Sequence, residues 1–217
     1  MQSIIPGLYA SAPQALSFGP STHVRAFLLQ RGQGNLLVYS AETVADEAQE
    51  IDDLGGISRR YLNHWHEAAF GGGDRAAATF KAPLFCHENE RYSLPKEWTV
   101  VGTFASRQMH GDDFEVIPIP GHTSGATAYL WDSGRHRCLF TGDSVYLREG
   151  DWVAAVLESS DRRAYIESLE LIKELDFDVL VPWAATAGQP FHAVTDQADS
   201  RRRIDAILAR VRRGDDH

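Results

Sequence analysis

With 217 residues, 43% of them hydrophobic, the chain has enough apolar material for a sizeable core, and residues 1–217 are expected to form one domain. A formal charge of −9 excludes a general nucleic-acid binder, which needs a basic field to neutralise phosphates, and no run of about 18 apolar residues is present to cross a membrane. The two cysteines make no disulfide framework, and the N-terminus lacks the basic start and apolar run of a leader, so a cytoplasmic protein with reduced thiols is expected.

In chain order, residues 24–30 (VRAFLLQ) and 35–39 (NLLVY) are apolar runs separated by RGQG, which predicts a hairpin with a glycine-bearing turn. Residues 41–54 space Val44, Ala48, Ile51 and Leu54 three or four apart, the pattern of one amphipathic helix that ends at Gly55-Gly56. A strand over 57–63 is then expected to run into "HWHEAA". Further on, residues 114–119, 127–131 (TAYLW), 137–140 (RCLF) and 178–181 (DVLV) read as strands. Residues 162–175 carry Ala164, Ile166, Leu169, Ile172 and Leu175 mostly on one helical face, and 196–213 carry Ile204, Ile207, Leu208 and Val211. Both halves therefore share a rhythm of strands, helix, strand, helix. That rhythm suits an α/β fold in which helices cover the outer faces of the sheets, an α/β/β/α sandwich.

Chemistry enters with His64-x-His66. On extended backbone, residues two apart project to the same side, so two imidazoles so placed converge on one ion. The pair is a weak signal alone. It gains weight from PGHTSG (120–125), which holds His122 in a tight turn after an apolar strand, and from FTGDS (140–144), which puts Asp143 at the end of another. Loops at strand ends, held by a rigid sheet, are where functional groups concentrate. Three imidazoles and a carboxylate suit Zn²⁺ well, and Mn²⁺ or Fe²⁺ less exclusively.

His-x-His after a strand, then Pro-Gly-His-Thr-x-Gly, then Phe-Thr-Gly-Asp: in this order the motifs resemble those of the metallo-β-lactamase superfamily of hydrolases. The strand in "LDFDVLVP" is similar to the one before that family's last ligand loop. The resemblance spans from about residue 24 to 188, nearly the whole chain. It implies the four-layer αβ/βα sandwich with metal held at one edge, His64, His66 and His122 as ligands of one ion, and Asp143 in the place of the carboxylate that bridges two. It also exposes departures. The family's opening motif is His-x-His-x-Asp-His, and here its last two positions are Ala68 and Ala69. Its closing loop commonly carries a histidine, and here that loop reads PWAATAG (182–188). All three losses fall on the second metal's ligands, which points to a site reduced to one divalent ion.

The function expected from this is hydrolysis of a small ester, thioester, lactone or amide. An ion on three imidazoles lowers the pKa of its bound water to about 7, so one metal-bound hydroxide can serve as nucleophile. Asp143 would act as ligand or as orienter of that water. Trp65 and Trp183 flank the ligand loops as candidate pocket walls, and His192 as a substrate contact or substitute ligand. Glu67 falls on the face opposite the histidines if the strand continues, as a solvated, capping or catalytic carboxylate. The glycine-rich segment 70–80 is expected to be a loop, and short loops at 71–79 and 184–192 to recognise the substrate, with no length left for an appended helical substrate domain. The competing expectation is a non-catalytic binding protein that keeps the scaffold with a degenerate metal site.

Overall fold

The computed structural model describes residues 1–215 and divides into two compact units, Met1–Phe104 and the segment from Ala105 onward. No helix among the described residues is long and apolar enough to cross a membrane.

The first unit is built on a seven-stranded sheet whose order is Gln2–Ile5, Leu8–Ala10, Phe27–Leu29, Leu36–Val38, Arg59–Tyr61, Leu84–His87 and Val100–Phe104. The first four strands form an antiparallel meander, with Leu28 opposite Leu37 across the expected hairpin. The last three add in parallel, which demands crossover connections. One crossover holds a 3₁₀ turn, Glu42–Glu47, and α1, Ala48–Asp53; the next holds α2, His66–Phe70, and α3, Asp74–Phe80. A second hairpin joins Gln14–Leu16 to Gly19–Val24. Leu28 and Leu37 meet Val44, Ile51 and Ala76 in one buried cluster, so the apolar residues of the 41–54 pattern do face the sheet. Each of the Leu, Val and Ile side chains contributes about 1.5–3 kcal/mol of transfer free energy.

Three expectations need correction here. The 41–54 pattern is not one helix: Glu47 leaves helical geometry at φ −103°, ψ 18°, between the 3₁₀ turn and α1. Tertiary contacts account for this, since the Glu47 carboxylate accepts from the Ala12 amide and pairs with the N-terminal amine, and Thr43 donates to the Ala12 carbonyl. The glycine-rich segment is only briefly a loop, because Asp74–Phe80 is helical and Lys81 closes it in the left-handed region at φ 50°. Finally, the strand that leads to the histidines stops at Tyr61.

In the second unit a six-stranded sheet runs Gln108–Met109, Phe114–Pro118, Thr127–Asp132, Arg137–Gly142, Val179–Pro182 and Ala193–Val194. All neighbours are antiparallel except Arg137–Gly142 with Val179–Pro182, whose crossover contains α4, Arg162–Glu174. Tyr165, Leu169 and Ile172 of α4 pack with Ile204, Ile207, Leu208 and Val211 of α5, Gln197–Arg213, over Ile117, Leu130, Leu139 and Leu180. Both helices open on an aspartate cap, Asp161 accepting from the Ala164 amide and Asp196 from the Asp199 amide, and α5 ends on Gly214 at φ 93°. Both helices coincide to within a residue with the apolar stripes of 162–175 and 196–213.

Candidate metal centre

In the first unit the site lies at the carboxyl ends of the parallel strands, where open α/β sheets tend to bind ligands. Residues 62–65 bridge Tyr61 and α2, and His66 is the first residue of that helix, with Trp65 as its N-cap. The expected extended geometry of His64-x-His66 is therefore wrong. The two rings nevertheless approach each other through a turn, with centroids 5.0 Å apart and planes nearly perpendicular. His64 is fully buried and His66 nearly so.

Glu67 explains the turn. Its Oε1 accepts from the amides of Asn63 at 2.7 Å and His64 at 3.2 Å, and its Oε2 accepts from Ser40 at 2.9 Å. A helical residue reaching back to amides ahead of its own helix satisfies donors that the helix start leaves open. A solvated Glu67 is thus excluded, since its exposure is 0%. Its pKa is pushed up by burial, and the His64 imidazole and the Asn63 and His64 amides pull the other way. The His64 Nδ1 stands 3.4 Å from Glu67 Oε1. Of the roles expected for Glu67 the capping one is formed, while its approach to His64 departs from the extended-strand expectation because i to i+3 proximity holds on a helix or turn and not on a strand.

The positions that depart from the family pattern are informative. Ala68 is buried and belongs to an apolar cluster with Leu62, Leu84, Cys86, Leu94 and Trp98. Ala69 is exposed. Trp65 is partly buried with its ring 4.0 Å from that of His66, and Phe70 lies 5.6 Å from His66. Phe18, at the tip of the second hairpin, meets Phe70 edge-on at 4.8 Å. This aromatic group beside His66 was only half readable: His66 and Phe70 are i and i+4 on α2, whereas nothing local links residue 18 to residue 70.

The second unit carries the other two groups. His122 is buried, and its Nδ1 donates to the Ala155 carbonyl at 2.7 Å. That commits the proton to Nδ1 and leaves the Nε2 lone pair facing Asp143, whose Oδ2 is 3.7 Å away. The backbone behind both groups is tied to α4. Asp161 donates its amide to the Gly121 carbonyl at 2.9 Å, Ser160 Oγ to the His122 carbonyl at 3.1 Å, and Ser168 Oγ to that of Pro120 at 2.7 Å. The Tyr165 hydroxyl donates to the carbonyls of Asp143 and Ser144 at 3.1 and 2.9 Å.

Of the remaining candidates, Trp183 is almost wholly buried. His192 is half-buried with its ring 5.2 Å from Phe191, and burial lowers its pKa, which keeps it neutral. The register Leu180↔Ala193 carries His192 toward the Pro182 end of that strand.

The model of the Metallo-beta-lactamase superfamily matches residues 48–184. The chain belongs to this superfamily. Among curated proteins it is 31% identical over 131 residues to a hydroxyacylglutathione hydrolase of Bdellovibrio bacteriovorus, covering 59% of this chain and 48% of that one. It is 26% identical over 134 residues to the enzyme of the same name from Methylobacillus flagellatus, covering 61% and 50%. The matched region thus spans about half the length of these curated relatives. A metallo-beta-lactamase from Pontibacter korlensis shares the fold with a TM-score of 0.73 at 14% identity, with 97% of each chain covered.

The residues present fit a divalent cation. Glu67 is a fully buried acceptor of three backbone amides, and it meets imidazole but neither arginine nor lysine among the described residues. A buried carboxylate without a counter-charge is costly, and a cation held by the neighbouring imidazoles would offset that cost. The His122 tautomer is also the one that offers a ligand nitrogen.

Proposed function

We propose that the protein is a hydrolase of a small acyl compound that uses one divalent cation, held by His64, His66, His122 and Asp143. What carries the reading is the preset His122 ring, its Nδ1 hydrogen spent on the Ala155 carbonyl and its Nε2 turned to Asp143. Three imidazoles and a carboxylate favour Zn²⁺, with Mn²⁺ or Fe²⁺ as weaker fits. The burial of Ala68 in an apolar cluster supports one cation, not two. Among ester, thioester, lactone and amide, the thioester is favoured by the relatives named hydroxyacylglutathione hydrolase, whose substrate is an S-acyl compound.

When bound by these residues, a divalent cation would supply Lewis acidity toward a carbonyl and lower the pKa of a nearby water to about 7. Asp143 would bind it or accept a hydrogen bond from a water, and Tyr165 with the Ala155 amide fixes the Asp143 backbone. Trp65 and Phe70 offer an apolar surface beside His66 for the acyl group, with the half-buried His192 as a further substrate contact in this reading, whereas the burial of Trp183 suits packing better than contact with substrate. The free, buried thiols agree with a cytoplasmic location.

The deciding experiment is elemental analysis of protein purified without added metal, with turnover of a thioester and ester panel. One ion per chain, and loss of both ion and turnover in His122→Ala, is the expected result. Absence of bound metal together with absence of turnover would leave the non-catalytic scaffold as the better account.

A further inference from the structure

The backbone amides of Asn63, His64 and Trp65 come immediately before α2, and each donates to a carboxylate side chain. Asn63 and His64 donate to Glu67, while Trp65 donates to Glu90 Oε2 at 2.6 Å. Glu90 comes from the turn after the strand Leu84–His87 and is 1% exposed. Two buried carboxylates from different segments therefore grip three consecutive amides of the loop that presents two histidines. The other oxygen of Glu67 reaches Ser40, beyond the end of a third parallel strand, which ties the loop to the sheet.

Holding a short turn does not by itself require charged side chains. Ser or Asn oxygens cap amides well, yet Glu67 spends both of its carboxylate oxygens on three amides from two segments. The arrangement is accounted for if the loop must keep one fixed shape beneath the two imidazoles it presents. Glu67 Oε1 also lies 3.4 Å from His64 Nδ1, so the residue that holds the loop borders one of those rings.

We propose that Glu67 and Glu90 are positioning residues for the cation: by holding the amides of Asn63, His64 and Trp65 they lock the loop that presents His64 and His66. The inference rests on the single-cation reading above. Glu67 contributes more than Glu90, because it touches both the loop and the ring.

The test titrates Co²⁺ into metal-stripped wild type, Glu67→Gln and Glu90→Gln, following the visible absorption bands, with circular dichroism of the metal-free proteins as the folding control. The expected result is a dissociation constant raised about 10–100-fold in Glu67→Gln, with altered Co²⁺ bands, and raised by a smaller factor in Glu90→Gln. Folded variants with the wild-type constant and spectrum would overturn the proposal while leaving the single-cation reading intact. Wild type that binds no Co²⁺ would overturn both. Should Glu67→Gln not fold, amide hydrogen exchange of the metal-free wild type decides: the Asn63, His64 and Trp65 amides must be protected, and rapid exchange at all three refutes the assignment.

Discussion

Gly121→Ala tests how the His122 loop is held. Gly121 sits at φ +141°, and a methyl group there would come within 2.4 Å of the Tyr165 Cα and 2.5 Å of its nitrogen. Both atoms are backbone of α4, in its first turn, so neither can swing aside as a side chain can. A non-glycine residue at such a φ costs roughly 1–3 kcal/mol, and forcing helix and loop apart adds roughly 1–3 more. Gly134→Ala is the matched control, since it has φ +80° with nothing within 4 Å of the added carbon and so carries only the conformational part. Urea unfolding of the two metal-free variants should place Gly121→Ala at least about 1 kcal/mol below Gly134→Ala, with a melting temperature lower by a further 2–4 °C or so per kcal/mol. Because Gly121 is bonded through its carbonyl to Asp161 and directly precedes His122, the same variant should bind divalent cation more weakly. Equal stabilities would refute the claim that close contact with α4 sets this loop.

Two further outcomes follow from the packing. Tyr165→Phe removes the hydroxyl that serves the carbonyls of Asp143 and Ser144, and should cost about 1–3 kcal/mol in urea unfolding, with a loss of cation affinity since Asp143 is no longer braced. Retention of wild-type stability would show that the two carbonyls need no such donor. Burial pushes the Cys86 and Cys138 thiols up to about 12, so both should stay inert to a thiol reagent at pH 8 until the chain is unfolded. The folded pKa exceeds the unfolded one, so this contribution to stability is whole below about pH 9 and shrinks as pH rises toward 12, by up to about 1.4 kcal/mol per pH unit for each thiol. A Cys86→Ser, Cys138→Ser double variant should lack that part of the alkaline slope, and prompt labelling of native protein would contradict the burial.

Much of the fold follows from local signals. The hairpin over Phe27–Val38 obeys apolar runs set apart by RGQG, and α4 and α5 obey a helical stripe that the sheet buries. The motif residues were legible for a similar reason: Pro-Gly-His-Thr-x-Gly and Phe-Thr-Gly-Asp each encode a turn at a strand end, with glycine where the backbone needs it, as at Gly121 and at Gly142 with φ 58°. The segment 41–54 misled because its stripe is right while its backbone is bent by Glu47 and Thr43 reaching toward Ala12.

The amino-acid order alone determined which side chains are available: three histidines and an aspartate in a recognisable sequence of motifs, with alanine at two positions where the superfamily pattern has ligands. Only the tertiary structure decided how they are presented. His64 and His66 meet across a turn because Glu67 folds back over it, and His122 shows its Nε2 because the Ala155 carbonyl, 33 residues on, takes its other nitrogen. Such contacts join segments far apart in the chain, and periodicity records only which face of an element is apolar, never which distant group will stand opposite it.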